Sequence, residues 1–159
     1  MERYLEVLFP VYHVPYTILR FANVYGPRQD PYGEAGVVAI FADRIRRGEQ
    51  PFIHGDGGQT RDFLYVGDAV KASAEALKKE ARGVYHIGTG KETSISELFR
   101  VVKEDFGSSL NEAHDEARPG EQRRNCLDAS RAQRELGWTP ATLLEEGIQR
   151  TQEWFEAHG

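Results

Sequence analysis

The stretch Tyr16-Thr17-Ile18-Leu19-Arg20-Phe21-Ala22-Asn23-Val24-Tyr25-Gly26-Pro27-Arg28 decides the fold of this chain. Its first part, Tyr16 to Leu19, is apolar and β-branched, the composition of a buried strand. Gly26-Pro27 stops a strand and opens a loop. The reading is one strand over residues 16–24. A second apolar strand is predicted at Val84-Tyr85-His86-Ile87, ended by Gly88-Thr89-Gly90. Roughly 60 residues with helical patterns lie between the two. That separation excludes a hairpin and requires a crossover, so the strands are parallel. Parallel sheets are covered on both faces, and two strands do not complete one. The pattern predicts an α/β unit whose first strand should have further neighbours outside these residues. Open α/β sheets bind ligands beyond the carboxyl ends of their strands, which is where Asn23 falls.

The remaining elements follow from periodicity and punctuation. Tyr4, Leu5, Leu8, Phe9 and Tyr12 have helical spacing and predict a helix over 2–13, kinked or shortened by Pro10. Residues 26–36 read as a loop, and 37–47 as a helix closed by Gly48. Pro51-Phe52-Ile53-His54 reads as a short strand, Gly55-Asp56-Gly57-Gly58 as a turn, and Thr60 to Val66 as extended. A helix over 68–80 would place Ala69, Val70, Ala72, Ala76 and Leu77 on or near one face. Ser94…Glu97, Ser130…Gln133 and Thr142…Glu145 have the form of capping boxes and predict three helix starts. Residues 108–123 are polar, with room for one short strand. His86 reads as a hydrogen-bonded core histidine.

Composition bounds the function. The 159 residues form one unit, 40% hydrophobic and 28% charged. The net charge of −5 argues against general nucleic-acid binding, which needs a basic face. Fifteen arginines against five lysines still suit an anionic small ligand. The single cysteine, Cys126, rules out an intrachain disulfide and reads as a buried, inert thiol. No His/Asp/Glu spacing suggests a metal site. No apolar run approaches the ~20 residues of a membrane span. Met1-Glu2-Arg3 leads into a helix pattern rather than a signal peptide, so the expected location is cytoplasmic.

Three segments carry the chemistry: Arg20 to Arg28, Thr60-Arg61-Asp62-Phe63-Leu64-Tyr65-Val66-Gly67-Asp68, and Arg118-Pro119-Gly120-Glu121. Taken in this order, they resemble the NAD-dependent sugar-nucleotide epimerase/dehydratase family, UDP-glucose 4-epimerase-like members above all. The resemblance runs from residue 1 to about 157 but covers only the second half of the family's length. It implies the C-terminal portion of a Rossmann-like extended short-chain dehydrogenase fold, with the substrate-binding subdomain. The family's first half holds a glycine-rich NAD loop and a Tyr-x-x-x-Lys pair. No Gly-x-x-Gly-x-x-Gly occurs here, and none of the seven tyrosines is followed four residues later by Lys. The expectation is that the N-terminal NAD-binding half is absent and that no catalytic residue lies in this chain.

The resemblance also assigns a site. Asn23, Arg61 and Arg118 match residues on the nucleotide-sugar diphosphate, and Glu121 an acidic residue near the ribose hydroxyls. Asn23 alone could equally shape the strand-to-loop turn. Val37 and Val38 fall where the family presents backbone to the uracil edge. His54 either stacks on the base or is an ordinary strand-end histidine. Asn125 stands where some epimerases have Tyr. Phe21 and Val24 match positions at the nicotinamide end of the pocket. For an intact enzyme the resemblance implies NAD as cofactor, a UDP-sugar as substrate and inversion at sugar C4 through a 4-keto intermediate. This chain by itself is expected to be inactive, and either to form a homodimer or to associate with the missing half. Alternatives are a portion of a nucleotide-sugar 4,6-dehydratase or UDP-glucuronate decarboxylase-like enzyme, or a non-catalytic binding or assembly fragment. Gly120-Glu121-Gln122-Arg123-Arg124 after the Arg-Pro favours an epimerase over a decarboxylase.

Overall fold

The computed structural model describes residues 2–32 and 36–158. In chain order the elements are α1 (Glu2–Tyr12), β1 (Thr17–Phe21), β2 (Asn23–Tyr25), α2 (Val37–Arg46), β3 (Ile53–His54), β4 (Thr60–Arg61) and β5 (Phe63–Tyr65). There follow α3 (Val66–Lys78), β6 (Gly83–Ile87), β7 (Thr93–Ser94), α4 (Ile95–Asp105), β8 (His114–Asp115), α5 (Ser130–Leu136) and α6 (Leu144–His158). The architecture is α/β. β1 pairs in parallel with β6 from Thr17↔Gly83 to Phe21↔Ile87, and β2 in parallel with β5 from Asn23↔Phe63 to Tyr25↔Tyr65. β3 pairs in parallel with β8, and β4 antiparallel with β7.

Two predicted extended segments are each split in two. The run 16–24 changes neighbour at Ala22. The Ala22 N–H still donates to Ile87 O (2.9 Å), whereas the Asn23 N–H donates to Asp62 O (2.9 Å). Thr60 to Val66 is interrupted at Asp62, and Val66 already belongs to α3. Alternation of side chains fixes the faces but not which strand lies alongside, so the sequence period does not reveal the switch.

β5 divides the core. Phe63 joins a cluster with Phe41, Leu98, Phe99 and Ile148 on one side. Leu64, wholly buried, joins Ala72, Tyr85, Ile87, Leu136 and Trp138 on the other. The buried face of α3 is Ala69, Ala72 and Ala76. Val70 (63% exposed) and Leu77 (82%) point outward, contrary to the single apolar face expected. Three alanines at i, i+3 and i+7 leave no bulk between helix and sheet, so α3 needs no larger residue there.

Of the three predicted capping boxes, one supplies a side-chain N-cap. Ser94 Oγ accepts from Glu97 N–H at 3.1 Å. At α5, Ser130 is inside the helix, and its N–H donates to Asp128 Oδ1 (2.9 Å). Before α6, the Thr142 N–H is taken by the buried Asp68. α1 continues past Pro10 to Tyr12, and its stripe Tyr4, Val7, Leu8 and Val11 is exposed. Two further expectations fail. Cys126 is exposed rather than buried. His86 is half-buried, with Nε2 at 3.4 Å from Arg20 Nη1, because β6 turns that residue towards the surface. Among the described residues, no helix is long and apolar enough to cross a membrane, and no group of His, Cys, Asp and Glu could hold a metal ion.

Candidate functional site

A cleft of about 480 Å³ opens beside the start of β2. Asn23, Gly36, Val37, Arg44, Phe52, His54, Gln59, Arg61, Asp115, Arg118 and Glu121 are among the residues that line it. Six positions read from the sequence therefore meet in one place: Asn23, Val37, His54, Arg61, Arg118 and Glu121. Asn23 leads into β2 with an exposed side chain. Gly36 precedes α2 in extended conformation (φ −70°, ψ 146°), and no side chain caps the helix. The first N–H groups of α2 thus have no partner within the helix and carry the positive end of its dipole. Val38 does not line the cleft. Its side chain is 2% exposed in the core, which leaves only its backbone near the helix start.

Arg61 is held in place before any ligand arrives. Its Nη1 donates to Thr60 O and to Gln122 O, both at 2.8 Å, and its Nη2 to Glu121 Oε1 at 3.0 Å. The side chain is 15% exposed. Arg118 Nη2 lies 2.9 Å from His54 Nε2. Arginine has only donors, so His54 Nε2 accepts. Gln59, itself buried, donates from Nε2 to His54 O (2.7 Å) and steadies the histidine backbone.

Residues 118–125 form a strap along this wall. The Thr60 N–H donates to Arg123 O (2.9 Å), and the Asn125 N–H donates back to Thr60 O (3.1 Å). Arg123 grips Asp56 with both terminal nitrogens (2.6 and 2.9 Å), and Arg124 Nε reaches Glu92 Oε2 at 3.0 Å. The Arg123 guanidinium, helped by the Gly58 N–H, holds the Asp56 carboxyl down at about 2. Arg124 and the Thr60 hydroxyl hold Glu92 at about 2. Asn125 serves the strap rather than the cleft, donating from Nδ2 to Gln122 Oε1 at 3.4 Å.

The nicotinamide-end positions lie elsewhere. Phe21 ends β1 at 40% exposure, and Val24 packs against the Leu64 cluster. Neither lines the cleft.

Sequence reading missed Arg44, Phe52, Gln59 and Asp115. Arg44 was findable, because it stands seven residues after Val37 on the same face of α2. The cleft carries three arginines against two carboxylates, a local positive excess in a chain of net charge −5. Chemically it suits an anion with several oxygens, met by planar guanidinium forks and helix N–H groups.

Parallel strand pairs with a cationic cleft at their ends fit a Rossmann-like α/β fold. The family model described as GDP-mannose 4,6 dehydratase matches residues 8–151, and the chain belongs to the NAD-dependent epimerase/dehydratase family. UDP-glucose 4-epimerase of Mycolicibacterium smegmatis is 42% identical over 155 residues, covering 97% of this chain and 50% of that protein. The crystal structure of Thermotoga maritima UDP-glucose 4-epimerase with UDP-glucose superposes with a TM-score of 0.93 at 46% identity, over 98% of this chain and 50% of that one. Thermus thermophilus UDP-glucose 4-epimerase in complex with NAD gives a TM-score of 0.89 at 38% identity, covering 99% and 52%. The chain thus spans about half the length of the curated relatives it matches. Relatives named dTDP-D-glucose 4,6-dehydratase also match, the bovine one at 35% identity over 97% of this chain and 44% of that protein.

Proposed function

We propose that this chain is the nucleotide-sugar-binding, C-terminal part of a UDP-glucose 4-epimerase-like enzyme. The observation that supports this best is the convergence of Asn23, Arg61, Arg118 and the α2 N-terminus on one cleft. In this reading the diphosphate of a UDP-sugar lies between Arg61 and Arg118, with the Asn23 amide donating to it. Glu121 takes the ribose hydroxyls, the first residues of α2 meet the base edge, and His54 stacks on the base. NAD, when bound by the remaining half of the enzyme, supplies a hydride acceptor and donor for sugar C4. The residues of this chain bind and orient the sugar nucleotide away from the reacting carbon, so their binding energy goes into positioning.

The isolated chain is a weak binder without turnover. Two charge-assisted clamps contribute about 3–6 kcal/mol. A millimolar complex requires about 4 kcal/mol after association costs. Among the described residues β1 pairs only with β6, and this edge and the exposed α1 stripe fit association, either with an N-terminal half of the enzyme or with a second copy. A dehydratase portion is the second reading. It is favoured by the relatives that carry that name and disfavoured by the higher identity to epimerases.

The test is a titration of the 15N-labelled chain with UDP-glucose, followed by two-dimensional NMR. Shifts at Asn23, Val37 and the Arg61 and Arg118 side chains, with millimolar affinity, are expected. Saturable shifts confined to residues outside the cleft, or epimerase turnover by the purified chain alone, would overturn the reading.

A further inference from the structure

Asp62 is the most deeply buried carboxylate near the cleft, at 0% exposure, and it does not line it. Its Oδ1 accepts from Thr89 N–H (2.9 Å) and Thr89 Oγ1–H (2.6 Å), and its Oδ2 from Gly90 N–H (3.1 Å) and Leu127 N–H (3.3 Å). Its own carbonyl accepts the Asn23 N–H at 2.9 Å. One residue therefore joins four chain segments: the start of β2, the β4–β5 junction, the turn after β6, and the segment just beyond the strap. All four donors to the carboxylate are N–H or O–H dipoles. A buried charge met in this way is fixed in direction as well as stabilised.

We propose that Asp62 is a positioning residue for the anion-binding cleft, acting through Arg61 and Asn23; this rests on the diphosphate reading above. Arg61 is its immediate neighbour, and the Arg61 guanidinium is braced by carbonyls of Thr60 and of the strap residue Gln122. Leu127 fixes where the strap returns to the sheet. The Asp62 carboxylate thus fixes the backbone of residue 62, from which Arg61 enters the cleft on one side and to which the Asn23 N–H is tied on the other. Close fit around it leaves no alternative placement. A Cβ on Gly88 would lie 2.5 Å from Asp62 Oδ2, so the turn after β6 presses directly on the carboxylate.

Asp62→Asn keeps the shape but turns one acceptor into an NH2 that faces existing N–H donors. The experiment is an NMR titration of the full chain and of its variants with UDP and, separately, with uridine, which lacks the diphosphate. In D62N the UDP affinity is expected to fall about tenfold, the worth of one charge-assisted bond, while uridine affinity stays unchanged. On an Arg61→Ala background, D62N should cost less UDP affinity than it does in the unaltered chain, because only the Asn23 route remains. Equal losses for UDP and uridine, or additive losses in the double variant, would show a merely structural role and overturn the proposal. Thr89→Val removes one of the four donors to the carboxylate, together with the acceptor of the Lys91 N–H, and is the milder change. It should show the same UDP-selective loss to a smaller degree, so the proposal stays testable if D62N fails to fold. If the unaltered chain binds UDP no better than uridine, the diphosphate reading fails. In that case the Arg61 Nε–H and Asn23 amide resonances decide. Movement of both in T89V, with Leu19 and Tyr85 amides unmoved, supports positioning by Asp62, and unmoved resonances refute it.

Discussion

Gly147 sits inside α6, where alanine ought to be the better residue. Replacing an interior helical glycine by alanine gains about 1 kcal/mol of helix propensity. The structure reverses the sign. A Cβ at position 147 would lie 2.0 Å from Tyr25 Oη and 2.8 Å from Tyr25 Cζ. Tyr25 cannot swing aside, because it is 2% exposed and its ring meets Phe63 and Tyr65 edge-on, at centroid distances of 6.4 and 5.9 Å. Displacing it also breaks the bond from Tyr25 Oη to Leu144 O (3.3 Å), worth about 1 kcal/mol. Overpacking of this kind costs about 1–3 kcal/mol. The balance for Gly147→Ala is a destabilisation of about 1–3 kcal/mol, measured by urea unfolding. In a thermal melt each kcal/mol should lower Tm by about 2–4 °C for a chain of this size. Tyr25→Phe removes the oxygen that meets the new methyl, so Gly147→Ala should cost distinctly less on that background. A raised Tm, or an equal cost on both backgrounds, would refute the argument that the Tyr25 hydroxyl decides the outcome.

Two further outcomes follow from the cleft and its strap. Arg61→Ala removes two carbonyl bonds and leaves the Glu121 carboxylate without its guanidinium, so UDP affinity should fall about tenfold or more, and Arg61→Lys should recover little because an ammonium cannot reproduce the fork; NMR titration of both variants checks this. The strap should also loosen in acid. Asp56 and Glu92 have folded pKa values of about 2, below their ordinary 3.8 and 4.5. Their contribution is therefore present above pH 4.5 and is lost as the pH falls towards 2. Asp105 works in the opposite sense, because burial and the nearby Glu153 and Glu156 raise its pKa, so protonation relieves it. Faster hydrogen exchange at the Thr60 and Asn125 amides below pH 4, ahead of the sheet amides, is the expected result, and uniform exchange would count against the strap ties.

Much of the site was legible because its residues lie in short contiguous motifs. Asn23 opens β2 and Arg61 ends β4, and Arg118 and Glu121 share one loop. The parallel pairing of β1 and β6 was legible from the long separation of two apolar runs. What escaped reading depends on partners distant in sequence. Asp62 looks like any charged residue after an arginine until Thr89 and Leu127 are seen to donate to it. Asp68 looks like a first-turn carboxylate, whereas it is buried and accepts from the Ala141 and Thr142 N–H groups and the Lys71 ammonium. Burial opposes its ionisation, but those donors outweigh it and lower its pKa. Val70 and Leu77 were misplaced for a different reason. Their apolar character satisfies a helical period, yet the alanine face alone fills the space against the sheet.

The geometry of the cleft also indicates how an anion would be received. Arg61 Nη1 is fully used by two carbonyls, so its orientation is settled before binding, and little rotamer entropy remains to be lost. Its Nη2 faces a carboxylate, which cancels part of its field. Arg118 Nη2 meets His54 Nε2, and among the described residues no carboxylate pairs with it. The two arginines are therefore unequal: Arg61 contributes direction, and Arg118 contributes attraction. A ligand with a single negative charge gains from Arg118 alone. In the proposed reading a diphosphate would gain from both, its second phosphate meeting the prealigned fork and a ribose hydroxyl taking over the Glu121 carboxylate. On that reading, tighter binding of UDP than of inorganic phosphate is the expected outcome of a competition titration, and equal affinities would refute the division of labour between the two arginines.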